Sequence, residues 1–294
     1  MADLSTVELT PALGVEIRGV DVSRPLPAEV AGELRRLFDR HHLLLIRGQQ
    51  LGADSQLRLC RCLGGVPDPP SLVSNVEPGG FHPEFKLVFH SDYAFVAHPL
   101  QGISLHALEI SEGSAPTAFV SNAHGARTLP ASLRQRLAGV EVTLLANTTG
   151  GREDVACRFT NVPDIAPDDV YPSMTRPAIW PHPRTGEALV FVNEQHGWRF
   201  KGLTREESDR LFDDVFAHLY RPDAVYEHQW AAGDLVVWDN LALQHGRRAN
   251  PKSVRRSLRR VVLNDVSNDE MVAGTVFHPA RWADHKKAVA SHRA

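Results

Sequence analysis

Cysteine is scarce in this chain: Cys60, Cys62 and Cys157 are the only three in 294 residues. Three thiols build no disulfide framework, and a lone C-x-C pair lacks the second pair that a structural zinc site needs. They read as ordinary, mostly buried residues of a reducing, cytoplasmic protein. Long apolar runs are also missing. No stretch approaches the ~18 apolar residues of a membrane span, so no membrane association is expected. The opening MADLSTVELT has neither the basic nor the apolar region of a secretory signal. Nor does one charge dominate. Thirty-two Lys and Arg against 35 Asp and Glu leave a formal charge of −3, which argues against nucleic-acid binding, since that requires a strongly basic face.

What is present is an ordinary soluble composition, 43% hydrophobic and 23% charged, enough for a sizeable core. The uncommon count is 15 histidines. Histidine is the commonest metal ligand and a frequent acid or base, but most of fifteen must be neither.

Apolar residues at helical spacing, Val30, Leu34, Leu37 and Phe38, predict a helix over 27–40, followed by a buried strand at LLLIRG, 43–48. A second helix is expected over 54–63, capped by Asp54 or Ser55. Residues 64–85, rich in Gly, Pro, Ser and Asn, read as a long surface loop of the kind that often closes over a site. Short strand-like segments follow: KLVFHSDYAF, GISLHALEI, TAFVSN, VEVTLL, ALVFVNE, AVYEHQW, DLVVWDN and SLRRVVLND. Several strands at modest spacing, broken by turn residues, predict a barrel or jelly roll. Thr204-x-x-Glu207 has the form of a capping box before the apolar stripe Leu211, Phe212, Val215, Phe216 and Leu219. No repeat and no linker divides the chain. The expectation is one domain over 1–294, with a core of about 9–265, a loop at 64–88 near the site, and a C-terminal extension at 266–294.

FHSDYAF, residues 89–95, contains His90-x-Asp92. On a strand, residues i and i+2 share a face, so the pair would deliver a nitrogen and a carboxylate oxygen to one point. GDLVVWDNLALQHGRR, 233–248, reads as a buried strand, a polar turn at Asp239-Asn240, and a run ending in His245. Two histidines and one carboxylate on one face of a metal form the facial triad of non-haem Fe(II) oxygenases, which leaves open positions for a co-substrate and O2. If that co-substrate is 2-oxoglutarate, its far carboxylate needs the bidentate fork of an arginine. Arg256 stands eleven residues after His245 and Arg260 four further on. Even spacing puts both on one face of a strand, with Arg255 and Arg259 turned to solvent.

In these features the chain resembles the taurine / 2,4-dichlorophenoxyacetate dioxygenase family of Fe(II)- and 2-oxoglutarate-dependent oxygenases. The resemblance extends over about 9–265, from LGVEIRGVDVSRPL and LLLIRGQQL through EGSAPTAFVS to RRSLRRVVLND. It implies a double-stranded β-helix (jelly-roll) core with decorating helices. It also implies iron ligation by His90, Asp92 and His245, and cofactor binding by Thr117 and Arg256; Trp238 reads either as a floor of the cofactor site or as a plain core residue. Arg260 falls where family members hold an anionic group of the substrate, while Tyr93 and His196 fall near the substrate pocket. His82, His98, His106, His124 and His182 read as non-ligands. Phe89 and Tyr93 stand where the family commonly has Trp and a small Ser or Thr, a difference that touches the substrate pocket and not the iron.

The implied reaction is hydroxylation of a small anionic molecule with release of succinate and CO2. Related halogenases lack the carboxylate, so Asp92 favours hydroxylation. The same metal chemistry could serve desaturation or tailoring of an amino acid or natural product. A non-catalytic jelly-roll binding protein would have no use for Thr117, Arg256 and three ligands together, and a zinc hydrolase no use for the carboxylate-binding arginine. By analogy with relatives, a homodimer or tetramer is expected.

Overall fold

The computed structural model describes residues 4–78, 80, 86–146 and 172–275; His82 and Cys157 lie outside them. Two facing β-sheets carry the architecture. The larger has seven strands, ordered edge to edge Ser5–Glu8, Val15–Arg18, Leu43–Ile46, Leu235–Asp239, Gly102–Ile110, Arg256–Leu263 and Ser71–Ser74. The smaller has four, ordered Tyr226–His228, Thr117–Ser121, Leu243–Arg247 and Leu87–His90. Strand alternation sorts the large sheet into two faces. Leu44, Ile46, Leu235, Val237, Val261 and Leu263 pack under the helices Ala28–His41 and Ala53–Leu63, against Leu34, Phe38 and Leu59. Their neighbours Leu43, Leu45, Val236, Trp238, Leu258 and Val262 face the small sheet, where they meet Phe119 and Leu243. This pair of sheets is the jelly-roll core expected from the strand pattern.

A second apolar cluster lies beyond the small sheet. The strands Glu141–Leu145, Ser173–Pro177 and Gly197–Phe200 form a three-stranded sheet, against which the helix Arg205–Leu219 packs Leu211, Phe212, Val215 and Leu219. The helix begins where Thr204 and Glu207 close a reciprocal capping box, satisfying two of its orphan N–H groups. No helix among the described residues is long and apolar enough to cross a membrane.

Three local expectations are corrected. The helix Ala53–Leu63 is preceded by Gly52 with no side-chain cap: Asp54 and Ser55 fall inside its first turn, where the Ser55 hydroxyl donates to the Ser23 carbonyl at 2.8 Å. Within the segment read as loop, Ser71–Ser74 is an edge strand paired with Ser257–Arg260; an edge strand needs a partner on one side only and shows little apolar alternation. Arg259 does not face solvent. Its Nε donates to Gln56 Oε1 and its Nη2 to the Leu51 carbonyl, beneath the helix layer. Parity was right, but the far face of this strand is covered.

Candidate metal centre

The strand Leu87–His90 runs antiparallel beside Leu243–Arg247, with His90 directly opposite His245. Cross-strand partners share a face, so their rings meet, centroids 4.3 Å apart. Asp92 reaches the same point by another route than strand alternation. The strand ends at His90, and residues 91–94 form a turn closed by Ala94 N donating to Ser91 O. Asp92 and Tyr93 occupy its centre, and Tyr93 has a φ of +58°. The expectation that His90 and Asp92 converge holds; its reason was a turn and not a strand.

Asp92 Oδ1 lies 3.2 Å from His90 Nε2 and 3.7 Å from His245 Nε2, and the three donor atoms all lie within 4.8 Å of one another. Neighbouring corners about one small cation, with metal–ligand distances of about 2.1 Å, are separated by about 3 Å. The donor set also suits a cation. Nδ1 of His90 faces the Val88 carbonyl at 2.8 Å and donates its proton there, so Nε2 is the nitrogen turned towards Asp92 and His245. Burial, then the neighbouring His90, push His245 down to about 3, so it is a neutral imidazole at neutral pH. Burial opposes charge on Asp92, but the His90 contact and the charge of Arg260 outweigh it and hold the carboxyl well below the usual range. A carboxylate and two imidazole nitrogens converging on one point form a donor set suited to a divalent cation. The residues fit a divalent metal.

A buried arginine lies beside this centre. Arg256 is 2% exposed, and its Nε and Nη1 find no hydrogen-bond partner among the described residues. Its Nη2 is 3.4 Å from the Thr117 hydroxyl, to which Trp230 Nε1 also donates at 3.0 Å. The guanidinium lies 5.8 Å over the Trp230 ring. Burial, with Arg247 nearby, lowers Arg256 to about 9, so it stays charged at neutral pH. A buried cation with unused N–H groups is costly and calls for an anion. Trp238, packed edge-on to His245 at 5.0 Å, has an unpartnered Nε1.

Arg260 reaches the metal group, on the same face of its strand as Arg256. There its Nη2 donates to Asp92 Oδ2 at 2.7 Å, so one oxygen of Asp92 faces the histidines while the other is held by arginine. His196 lies with its ring 6.3 Å from His90 and 5.0 Å from Phe95. Its Nδ1 faces the Leu145 carbonyl, and burial lowers it to about 3. Tyr93, 44% exposed, sits at the rim with its ring 5.9 Å from Phe95.

Residues that the spacing left unmarked matter as much. Trp230 and Arg247 join the Thr117–Arg256 pocket, the latter by standing opposite Thr117 in the sheet. Asn240, legible only as half of a turn, bonds both main-chain groups of Asp92 across 148 residues. Asp239 caps the N–H groups of Leu241 and Ala242 as the turn reading expects. Its other oxygen binds His182 and Arg184 in a buried cluster.

Residues 5–262 match the family described as taurine catabolism dioxygenase TauD, TfdA family. Pentalenolactone F synthase of Streptomyces avermitilis is 28% identical over 283 residues, covering 85% of this chain and 90% of its own. The alpha-ketoglutarate-dependent 2,4-dichlorophenoxyacetate dioxygenase of Cupriavidus pinatubonensis is 26% identical over 286 residues, covering 87% and 96%. Among solved structures, a taurine dioxygenase from Burkholderia xenovorans superposes with a TM-score of 0.71 at 21% identity, over 88% of this chain and 90% of its own. That last likeness concerns the fold.

Proposed function

Since the chain belongs to the TauD/TfdA family of Fe(II)- and 2-oxoglutarate-dependent dioxygenases, we propose that His90, Asp92 and His245 hold the iron and that Arg256 and Thr117 hold the far carboxylate of 2-oxoglutarate. The substrate is a small organic anion that approaches past Arg260, Tyr93 and His196. The observation that carries this reading is the pairing of three converging donor atoms with a buried guanidinium whose Nε and Nη1 have no partner among the described residues.

When bound, iron and 2-oxoglutarate together supply the activation of O2 for hydroxylating a C–H bond, with release of succinate and CO2. The protein's part is placement. The two imidazole nitrogens of His90 and His245 and the Asp92 carboxylate would hold a divalent ion and leave it one net positive charge to attract an anionic co-substrate. Arg256 offers Nε and Nη1 to a carboxylate, in a pocket where Trp230 and Thr117 fix its plane. Trp238 and Phe119 pack against His245 and keep water from its outer edge. Arg260, already paired with Asp92, offers its remaining N–H groups to a substrate anion.

The acids handled by relatives support the anionic assignment: one is named for 2,4-dichlorophenoxyacetate and another for sulfate esters. A second reading, tailoring of a natural product, is favoured by the 28% identity to pentalenolactone F synthase. Sparse thiols agree with a cytoplasmic enzyme. The test is succinate formation by anaerobically iron-loaded protein given 2-oxoglutarate, ascorbate and O2. The panel would hold phenoxyacids, sulfonates, sulfate esters, amino acids and terpenoid acids, with H90A as control. Substrate-stimulated succinate that disappears in H90A supports the reading. A wild type that binds neither metal nor 2-oxoglutarate overturns it.

A further inference from the structure

The turn that carries Asp92 is conformationally unfavourable for its sequence. In a four-residue turn, a positive φ at the third position belongs to the type in which the central peptide is flipped relative to the common form. That position normally goes to Gly or Asn; here it holds Tyr93 at φ +58°. A tyrosine would prefer the opposite peptide orientation, which would turn the Asp92 carbonyl to the other side of the turn and release the main chain that carries Asp92. Some contact must hold the peptide, and the structure has one. Asn240 Oδ1 accepts from Asp92 N at 2.8 Å, and Asn240 Nδ2 donates to Asp92 O at 2.9 Å. The Asp92 carbonyl is the oxygen of the central peptide of the turn, so the second bond selects its orientation. Nδ2 also donates to the Leu100 carbonyl at 2.7 Å, and Asn240 is fully buried. Its own position is set by the strand Leu235–Asp239, through Asn240 N to the Gln101 carbonyl.

We propose that Asn240 is a positioning residue for Asp92: its amide holds both main-chain groups of Asp92, locking the 91–94 turn in the form from which the carboxylate reaches His90 and His245 and the Tyr93 ring sits at the rim of the site. Asp92 is thereby tied to the same chain segment that delivers His245 five residues later, so carboxylate and second histidine are placed by one rigid turn. This rests on the metal reading above and adds to it a residue that touches neither metal nor substrate.

The test is Mn(II) binding to the metal-free protein, followed by the EPR signal of the free ion. Each variant's thermal midpoint is recorded alongside, and titrations are run below it. N240A removes three hydrogen bonds, and N240D keeps the volume while setting oxygen against the carbonyls of Asp92 and Leu100. Each weakens Mn(II) binding by about 10–100-fold, the usual cost of losing an outer partner of a metal ligand. The decisive variant is N240A/Y93G. Glycine adopts positive φ without strain, so the double variant regains at least about fivefold of the lost affinity. Loss of affinity in N240A and N240D that Y93G does not recover would assign Asn240 a merely structural role and overturn the proposal, as would wild-type affinity in both. Wild-type protein binding Mn(II) no better than H90A would instead overturn the metal reading itself.

Discussion

Asp92 divides its two oxygens between two partners: Oδ1 lies 3.2 Å from Nε2 of His90, and Oδ2 accepts a 2.7 Å hydrogen bond from Nη2 of Arg260. In the proposed reading Arg260 therefore holds a metal ligand and meets the substrate anion together. Charge-assisted bonds of this kind contribute about 1.5–3 kcal/mol. R260Q should raise the KM for the anionic substrate about 10–100-fold and weaken metal affinity by a smaller factor. Steady-state kinetics beside a metal titration check this. A KM unchanged within twofold would place the substrate anion elsewhere.

Arg256 should behave differently. R256M removes a buried cation whose Nε and Nη1 await an anion. Its 2-oxoglutarate dissociation constant should rise by at least about tenfold, with kcat at saturating co-substrate reduced less. R256K keeps the charge but not the fork, and should recover only part of the affinity. Isothermal titration of 2-oxoglutarate into the Mn(II)-loaded protein measures both.

The pH dependence of the metal-free protein has a definite sign. His196 and His245 are both held at about 3 in the fold, burial being the first cause in each, against about 6.5 in an unfolded chain. Above pH 6.5 neither state is protonated at these groups and they contribute no slope. Between pH 6.5 and 3 only the unfolded chain takes up the protons, so stability falls by about 1.4 kcal/mol per pH unit for each histidine. Urea midpoints of the apo-protein should drop steadily from pH 7 to pH 5, and H196N should remove about one proton of that slope. An H196N slope equal to that of wild type would contradict the assignment.

The buried cluster behind the metal site makes a separate demand. Asp239 accepts from His182 and Arg184, and Arg184 also reaches Asp39 on the helix Ala28–His41. Burial alone would raise this carboxyl, but the His182 contact and the charge of Arg184 hold it well below the usual range. D239N takes the charge from the acceptor shared by His182 and Arg184, leaving Arg184 only its bond to Asp39, a loss of about 1.5–3 kcal/mol. Denaturant unfolding checks it, and a loss under 1 kcal/mol would mean that the cluster relaxes without cost.

How much of this was legible in the sequence depends on the range of the cause. Local order in FHSDYAF, in Thr204-x-x-Glu207 and in RRSLRR was enough to mark side chains that converge, the helix start and the paired arginines, because residue type and spacing act within a few residues. The cap at Gly52, the edge strand Ser71–Ser74 and the covered side chain of Arg259 were not. Each depends on a neighbour from elsewhere in the chain: Ser23 for Ser55, Ser257–Arg260 for the edge strand, Gln56 and Leu51 for Arg259.

The amino-acid sequence by itself determined which atoms are available: two imidazoles, a carboxylate, a threonine hydroxyl, and arginines on one strand face. Tertiary structure decided how they meet. Only cross-strand register sets His245 opposite His90, and only the amide of Asn240, 148 residues beyond Asp92, holds a turn that Tyr93 would otherwise refuse. Strand periodicity is a property of the local backbone and can be read along the chain; the orientation of one peptide plane depends on what packs against it.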